Sequence, residues 1–416
     1  MGGELKTSAS SSAERYNLFV ATLTFGEARA CVIETVTRNR ALAPAEEVAL
    51  LDAADRVLAE DIVADRDYPP VARSIRDGFA VRAADLPGEL DIIGEVRAGQ
   101  TYSGAVGPGQ AVEIMTGAPV PSGVDAVVMV EHARRNGARV SVDRAAEPGQ
   151  FINQQSSEAR RGARLLAPGR RLSFTEIALA ATVGRARLRV FAKPKVAILA
   201  TGDEIVPIEA EPLAQQVRNS NSYSLAVQVA RAGGAPDILP PARDEHNATR
   251  DLVARGLASD LLLLSGGVSA GKYDLVEGVL ASLGAEFFFD RVLIQPGQPL
   301  VFGRARDTFF FGLPGNPAST MVTFELFARA AVELLGGQSA AQLPILQARL
   351  AQDFRHKSGL TRCLPARLSD DGSQVTPIPW HGSSDVPAMA EANALLVADA
   401  DRESWRAGEF IWVLLK

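Results

Sequence analysis

The sequence predicts a multidomain protein in which an α/β domain is flanked by smaller β-rich and helical parts. Three observations predict it. From Lys195 onward, short apolar runs alternate with helical segments, the pattern of a doubly wound parallel sheet. From about Asp65 to Val142, and again from about Gln342 to Lys416, short β-type runs are closely punctuated by Gly and Pro. Helix-start signals lie on either side of the first β segment.

The elements follow in order. Thr24-Phe-Gly-Glu27 is a capping-box pattern and opens a helix through ARACVIETV. EEVALLDAADRVLAEDIVA reads as a strand, a short helix opening at Asp52 and a second strand. LDIIGEV, QAVEIM, DAVVMV and ARVSV then form a small β domain. Ser173-Phe-Thr-Glu176 is a second capping box, and its helix stops at Gly184. Helical segments before and after β segments imply an insertion. The expected domains are therefore a helical one over 16–65 and 145–193, an inserted β domain over 66–144, an α/β domain over 194–340 and a C-terminal β domain over 341–416.

Within the α/β segment, VAILA is a strand, NSNSYSLAVQVARAGG a helix with Asn/Ser caps and a Gly stop, and PDILP a short strand. HNATRDLVARGLA is helical, DLLLL a strand and LVEGVLASLG a helix. EFFFDRVLI and LVFGRA are β-like, and TFFFG runs into LPGNPAST and the helix MVTFELFARAAVELL. LQARLA, RCLPARL, ALLVAD and EFIWVLL supply the strands of the last domain.

Composition excludes several function classes. Lys plus Arg is 43 against 49 for Asp plus Glu, a formal net charge of -6, which disfavours a general nucleic-acid binder. Cys31 and Cys363 form no Cys-x-x-Cys pair, so neither a structural zinc site nor a disulfide framework is indicated. His132, His246, His356 and His381 show no metal-ligand spacing. No apolar run has membrane-spanning length, and the Ser-rich start MGGELKTSASSSAER lacks the apolar core of a signal peptide. A cytoplasmic protein with a disordered N-terminal tail is expected.

Three loops follow apolar strands: TGDE at 201–204, SGGVSAGKYD at 265–274 and LPGNPAST at 313–320. Ligands of open parallel sheets collect at the carboxyl ends of strands, and glycines let the backbone approach an anion closely. Asn316 suits a helix N-cap and Pro317 the first helical position, which is also simply a common way to start a helix. Together the three loops point to a phosphorylated ligand. GGVSAGKY at 266–273 is one residue from G-x-x-x-x-G-K-[ST], but Tyr273 stands where a Mg²⁺-holding Ser or Thr belongs. The loop also follows VAILA and PDILP rather than a first strand, so an ATPase is disfavoured, although EFFFD (286–290) imitates its acidic strand. Asp203, Glu204 and Asp274 beside a phosphate site imply an intervening divalent cation. Taken singly, Asp203 and Asp274 read equally well as helix caps.

TGDE, SGGVSAGKYD and GLPGNPAS, in this order, resemble the loops of the molybdopterin molybdenumtransferases, the MoeA and gephyrin E-domain family. RSIRDGFAV (73–81), EIMTGAPVPSGVDAVVMVE (113–131) and AADRVLAEDIVA extend the resemblance over about Glu27 to Leu415. It implies an elongated helical domain carrying the inserted β domain, an α/β molybdopterin-binding domain and a C-terminal β barrel. It also implies a homodimer with each active site formed between subunits. The implied substrates are adenylylated molybdopterin and molybdate, with Mg²⁺ as cofactor. A phosphoanhydride is cleaved, AMP leaves, and molybdenum enters the dithiolene. The molybdopterin adenylyltransferase is an implied partner.

Carried onto this chain, the resemblance makes Asp77, Thr116, Glu204 and Asp274 catalytic, and Asp203, Glu204 and Asp274 metal-placing. Asn221, Ser265, Gly266, Gly267, Ser269, Pro314, Gly315, Asn316 and Pro317 become substrate-binding, joined by Asp203, Glu158, Arg291, Arg362 and Ser383. From the residues alone, Asp77, Thr116 and Arg362 read as a turn, a turn hydroxyl and a solvated strand residue. The chain departs from the family pattern in two places. FINQQSSEARRG (151–162) keeps Glu158 but has Asn153, Gln154 and Gln155 where an Arg-rich stretch is usual, with Arg160 and Arg161 following. QPGQP has Gln295 and Gln298 where many members have lysines. Arg291 and Arg76 are cations near these motifs. Two other readings stay open: a molybdopterin-binding scaffold weakened in catalysis, and a molybdopterin adenylyltransferase.

Overall fold

The computed structural model describes residues 21–266 and 275–416. The chain divides into two compact units, Glu46–Val190 and the flanking segments that end at Ala45 and resume at Phe191.

In Glu46–Val190 the inserted β domain is a six-stranded sheet in the order Ala126–Met129, Gly78–Val81, Gln110–Ile114, Gly88–Val96, Arg139–Val142, Arg134–Asn136. Period-2 alternation places its side chains. Phe79 and Val81 pack on one face with Leu90, Val140 and Val142, whereas Ala80 packs on the other with Val96, Val112 and Ile114. The rest of the unit departs from the helical expectation for 16–65 and 145–193. It consists of two-stranded ladders, Ala45–Ala49 with Arg187–Phe191, Ile62–Val63 with Arg164–Leu166, and Arg73–Ser74 with Ile152–Asn153, plus the short 3-10 turn Leu51–Ala53 and the α-helix Phe174–Thr182. The ladders and that helix share a core containing Leu58, Ile62, Leu172, Ala180, Leu188 and Val190. Apolar residues at strand spacing fill this core, so a nine-residue helix suffices to cover it. The capping box at Ser173 forms as read from the sequence.

The other helix expected of that domain, Phe25–Asn39, packs instead in the α/β unit. Its capping box is formed, with Thr24 N–H donating to Glu27 at 2.9 Å and Glu27 N–H to Thr24 Oγ1 at 3.3 Å. Ala28, Val32 and Val36, spaced every four residues, enter the core beside Phe324, Phe327 and Ala331. Arg29 and Arg40 finish the joint. Arg29 donates to the carbonyls of Leu326 (2.5 Å) and Ala341 (3.1 Å). Arg40 donates to those of Leu334 and Gln338, the latter at 3.0 Å. Leu326 lies in a π-helical stretch, Phe324–Ala328, between the helices Pro317–Thr323 and Arg329–Leu335, where carbonyls spared by the wider turn accept outside donors.

The α/β sheet has seven strands in the order Ala21–Leu23, Glu286–Val292, Pro299–Ala305, Thr308–Leu313, Leu261–Ser265, Lys195–Ala200, Ala235–Ile238. It is mixed rather than wholly parallel. Pro299–Ala305 runs against both neighbours, because only Arg306 and Asp307 separate it from Thr308–Leu313 and so short a connection cannot cross over. Phenylalanines fill both faces. Phe302 stacks on Phe311 at 4.7 Å on one, and Phe287 meets Phe310 edge-on at 5.5 Å on the other. In the C-terminal region Thr361–Leu368 pairs with both Gln374–Pro377 and Ala394–Ala398, and Ile345–Leu350 and Phe410–Leu415 complete the closed barrel. No helix among the described residues is long and apolar enough to cross a membrane.

Gly303 marks the tightest place in the large sheet. A Cβ there would sit 2.3 Å from the Phe310 ring and 2.5 Å from the Glu286 carbonyl oxygen. Gly303→Ala is expected to cost roughly 1–3 kcal/mol by overpacking, read as a lower urea midpoint with an unchanged slope. A midpoint equal to wild type would show that this sheet has slack the packing does not reveal.

Candidate functional site

Three parallel strands end level with one another, because Ala200 is paired with Ser265 and Ser265 with Leu313. The loops that follow therefore start side by side. Thr201 N–H donates to Ser265 O at 3.0 Å and Gly266 N–H to Leu313 O at 3.3 Å, which continues the ladder one residue into each loop. Beyond these ends lies a cavity of about 520 Å³. Its wall includes Thr201 and Glu204 from the first loop, Ser265 and Gly266 from the second, and Gly315, Asn316 and Pro317 from the third. Arg218 to Asn221, which lead into the helix Ser220–Arg231, and Ser384 complete it.

Gly266 is required here. Its φ is +91°, and a Cβ would lie 2.6 Å from the Thr201 carbonyl oxygen. Asn221 ties two of the loops together, its Nδ2 donating to Ser265 Oγ and to the Gly315 carbonyl, each at 2.8 Å. Its Oδ1 is buried and has no partner among the described residues, and the same holds for the Thr201 hydroxyl. Asn219 caps the helix by accepting from Ser222 N–H at 3.2 Å. Asn316 precedes the helix Pro317–Thr323 as expected, but its side chain does not cap it; Nδ2 donates instead to Ser383 Oγ at 2.9 Å. Ser383 also accepts Ala318 N–H on its carbonyl at 2.9 Å, so the segment before Val386–Glu391 is fastened to the third glycine loop.

Other residues singled out in the sequence lie elsewhere. Asp203 is exposed and accepts the Asp244 N–H at 3.2 Å, a turn-stabilising role. The Pro314 carbonyl accepts from Thr320 Oγ1 at 2.5 Å. Arg291 stands near the end of Glu286–Val292, at the same sheet edge as the cavity but two strands from Thr308–Leu313, and does not line it. Arg362 pairs in register with Gln295, and its Nε is buried without a partner among the described residues. Gly267, Ser269 and Asp274 lie outside the described residues. Among the described residues no group of three His, Cys, Asp or Glu is placed to hold a metal ion.

The unit Glu46–Val190 holds the remaining residues. Asp77 and Thr116 meet: the Thr116 N–H and hydroxyl both donate to Asp77 Oδ1, at 2.6 and 2.7 Å. These two bonds, the backbone one foremost, hold the Asp77 carboxyl below the usual carboxylate range. Asp77 is thus an exposed carboxylate with a fixed partner, in the bend just before the strand that Gly78 begins. Glu158 accepts from Asn153 Nδ2 at 2.9 Å. The Arg76 guanidinium lies over Phe151, 5.9 Å from the ring centre, and Arg161 N–H donates to Asp67 at 2.8 Å.

Thr201, Arg218 and Ser384 are cavity residues that the sequence reading missed. Thr201 was in view as the first residue of TGDE, and Arg218 directly precedes the Asn-Ser-Asn that opens a helix at the sheet's carboxyl edge. Ser384 carries no local signal.

Three family models match in sequence: "MoeA N-terminal region (domain I and II)" over residues 23–184, "Probable molybdopterin binding domain" over 197–362 and "MoeA C-terminal region (domain IV)" over 347–416. The chain is 35% identical over 385 residues to a molybdopterin molybdenumtransferase of Bacillus subtilis, covering 89% of each chain. It is 33% identical over 369 residues to the one of Staphylococcus epidermidis, covering 86% of this chain and 88% of that one. A solved molybdopterin biosynthesis MoeA protein from Pyrococcus horikoshii OT3 superposes with a TM-score of 0.77 at 27% identity, over 95% of this chain and 100% of the other.

The Asp77–Thr116 pair is testable by titration. Because the folded pKa is depressed, the pair's stabilisation is present above the ordinary aspartate range and is lost as pH falls through the folded value. Thr116→Val removes the hydroxyl bond and keeps the backbone one. The Asp77 carboxyl resonance should then titrate at higher pH while staying below an unperturbed aspartate. An unshifted titration would mean that the hydroxyl contributes nothing.

Proposed function

The chain belongs to the MoeA family, and we propose that it inserts molybdenum from molybdate into adenylylated molybdopterin with release of AMP. The observation that carries this reading is the cavity at the ends of three level parallel strands, where Thr201 and Glu204, Ser265 and Gly266, and Gly315 to Pro317 meet. Its backbone comes close to any occupant at Gly266 and Gly315, which suits phosphate oxygens.

Glu204 on the cavity wall and Asp203 beside it, with Asp274, would hold Mg²⁺. Two or three carboxylates fit that ion, since Mg²⁺ takes few protein ligands and completes its shell with water and substrate phosphate. Bound there, it would neutralise charge on the phosphoanhydride as AMP departs. The chain's own residues bind and orient. Asn221 keeps two loops together, and its free Oδ1 offers an acceptor to a ligand N–H or O–H. Asp77, whose carboxyl Thr116 holds below the usual carboxylate range, is assigned a catalytic role, and Arg291, Ser383 and Glu158 are assigned to substrate positioning. Molybdate is assigned to the neighbourhood of Gln295 and Arg362, where the buried guanidinium Nε has no partner among the described residues. We further propose a cytoplasmic homodimer that receives its substrate from the molybdopterin adenylyltransferase.

Incubation of the purified protein with adenylylated molybdopterin, Mg²⁺ and molybdate should release AMP and form cofactor together. AMP without cofactor would remove insertion and leave the scaffold reading. Adenylylation of free molybdopterin by ATP would favour the adenylyltransferase.

The amides at 295 and 298 set a second test. Restoring one cation, Gln295→Lys, should tighten molybdate binding several-fold, on the order of 1 kcal/mol for converting a neutral to a charge-assisted bond. Arg362→Gln should weaken it by a larger factor. If neither change moves the molybdate titration, the oxyanion sits elsewhere.

A further inference from the structure

Among the described residues Arg218 is the one cation on the cavity wall, and no described carboxylate pairs with it. Its Nε donates to the Ala210 carbonyl at 2.9 Å, which orients the guanidinium and leaves its two terminal NH₂ groups without an acidic partner. The strand that carries it is anchored to the first loop. Val206 pairs with Arg218 in a short parallel ladder, and Val217 N–H donates to the Glu204 carbonyl at 2.9 Å. That same loop begins with Thr201, a wall residue that is 4% exposed and whose buried hydroxyl has no hydrogen-bond partner among the described residues. A buried hydroxyl left without a partner is a cost that native structures rarely carry unless something binds there.

Resting on the reading of this cavity as the phosphoanhydride site, we propose that Arg218 and Thr201 hold the non-bridging oxygens of the adenylyl phosphate. The phosphate seat is then the wall built by residues 201–218, and the Gln295 and Gln298 amides do not supply it. The chemistry matches atom by atom. A guanidinium with two free NH₂ groups grips two oxygens of one phosphate. A threonine hydroxyl can turn to donate to a third. Gly266, whose missing side chain would have pressed on the Thr201 carbonyl, keeps the approach open. Asn221 Oδ1, an acceptor only, opposes an anion and therefore faces a hydroxyl or amine elsewhere on the ligand.

The test is equilibrium titration of the full chain with AMP and with adenosine, each at low and high salt. Wild type should bind AMP more tightly than adenosine, with an affinity that falls as salt rises. Arg218→Gln should weaken AMP by roughly ten-fold or more, flatten the salt dependence and leave adenosine unchanged. Arg218→Lys should recover part of the loss, and Thr201→Ser should bind like wild type where Thr201→Val loses several-fold. The assignment is overturned if Arg218→Gln binds AMP as wild type does, if AMP and adenosine weaken equally, or if wild type does not distinguish the two. Wild-type turnover of adenylylated molybdopterin separates the failures. AMP release that persists while Arg218→Gln binds normally defeats this seat alone, whereas absence of AMP release defeats the functional reading beneath it.

Discussion

The level ending of three parallel strands is the constraint on which the site depends. Ala200, Ser265 and Leu313 stand in one row of the sheet, and each loop takes its first turn from a hydrogen bond to the neighbouring strand. A slip of one residue in any strand would turn its core side chains to the opposite face and move its loop off the cavity wall. Burial forbids that slip. Leu261 to Leu264 alternate between two apolar clusters, as do Phe309, Phe310 and Phe311 beside them. The hydrophobic pattern thus fixes register, and register brings the polar loops together. Asn221 then ties the second and third loops with bonds from a single amide nitrogen, so neither loop can drift without breaking a partly buried polar contact.

The same core explains why the first helix joins the α/β unit. Phe25–Asn39 offers an apolar stripe but is amphipathic, and the best-matched apolar surface is the Phe-rich helix Pro317–Leu335 with its π-helical interruption. Arg29 and Arg40 satisfy carbonyls that the interruption and the helix end leave over. The third glycine loop begins the helical segment that this joint clamps, so its anchor lies far from the cavity in sequence and close in structure.

Local chemistry was legible in the sequence; partnership across the chain was not. Both capping boxes, the Asn219 cap, the glycine stop after Thr182 and the buried strands were readable because each depends on residues a few positions apart. The order of the glycine loops revealed the site for the same reason. The helical reading of 16–65 and 145–193 did not survive, because a capping box announces a helix without saying what it packs against. The strand read at the end of EEVALLDAADRVLAEDIVA forms as Ile62–Val63, but nothing local announced its partner Arg164–Leu166, a hundred residues away. Asn316 shows the limit most sharply. Its position before Pro317 suits an N-cap, yet its amide serves Ser383, a residue no local pattern connects to it.

What remains is a question of charge. A cavity for phosphate and oxyanion is expected to be rich in cations, and this chain has replaced two expected lysines by glutamines. Among the described residues the wall carries Arg218 and Glu204 as its charged residues, and Arg362 pairs in register with Gln295. Arginine differs from lysine in holding its charge in a planar fork that can be fixed by one bond and still present others. Arg218 does this through Ala210, and Arg362 leaves Nε free. A guanidinium oriented as Arg218 is can give an anion site its geometry with fewer charges, because an oriented fork loses less freedom on binding than a flexible ammonium. Amides at 295 and 298 can then add hydrogen bonds without adding a field that would hold the departing phosphate. On this view the glutamines do not mark a site losing its chemistry. They accompany a shift of positive charge from a flexible loop onto arginines held by the backbone of two separate ladders.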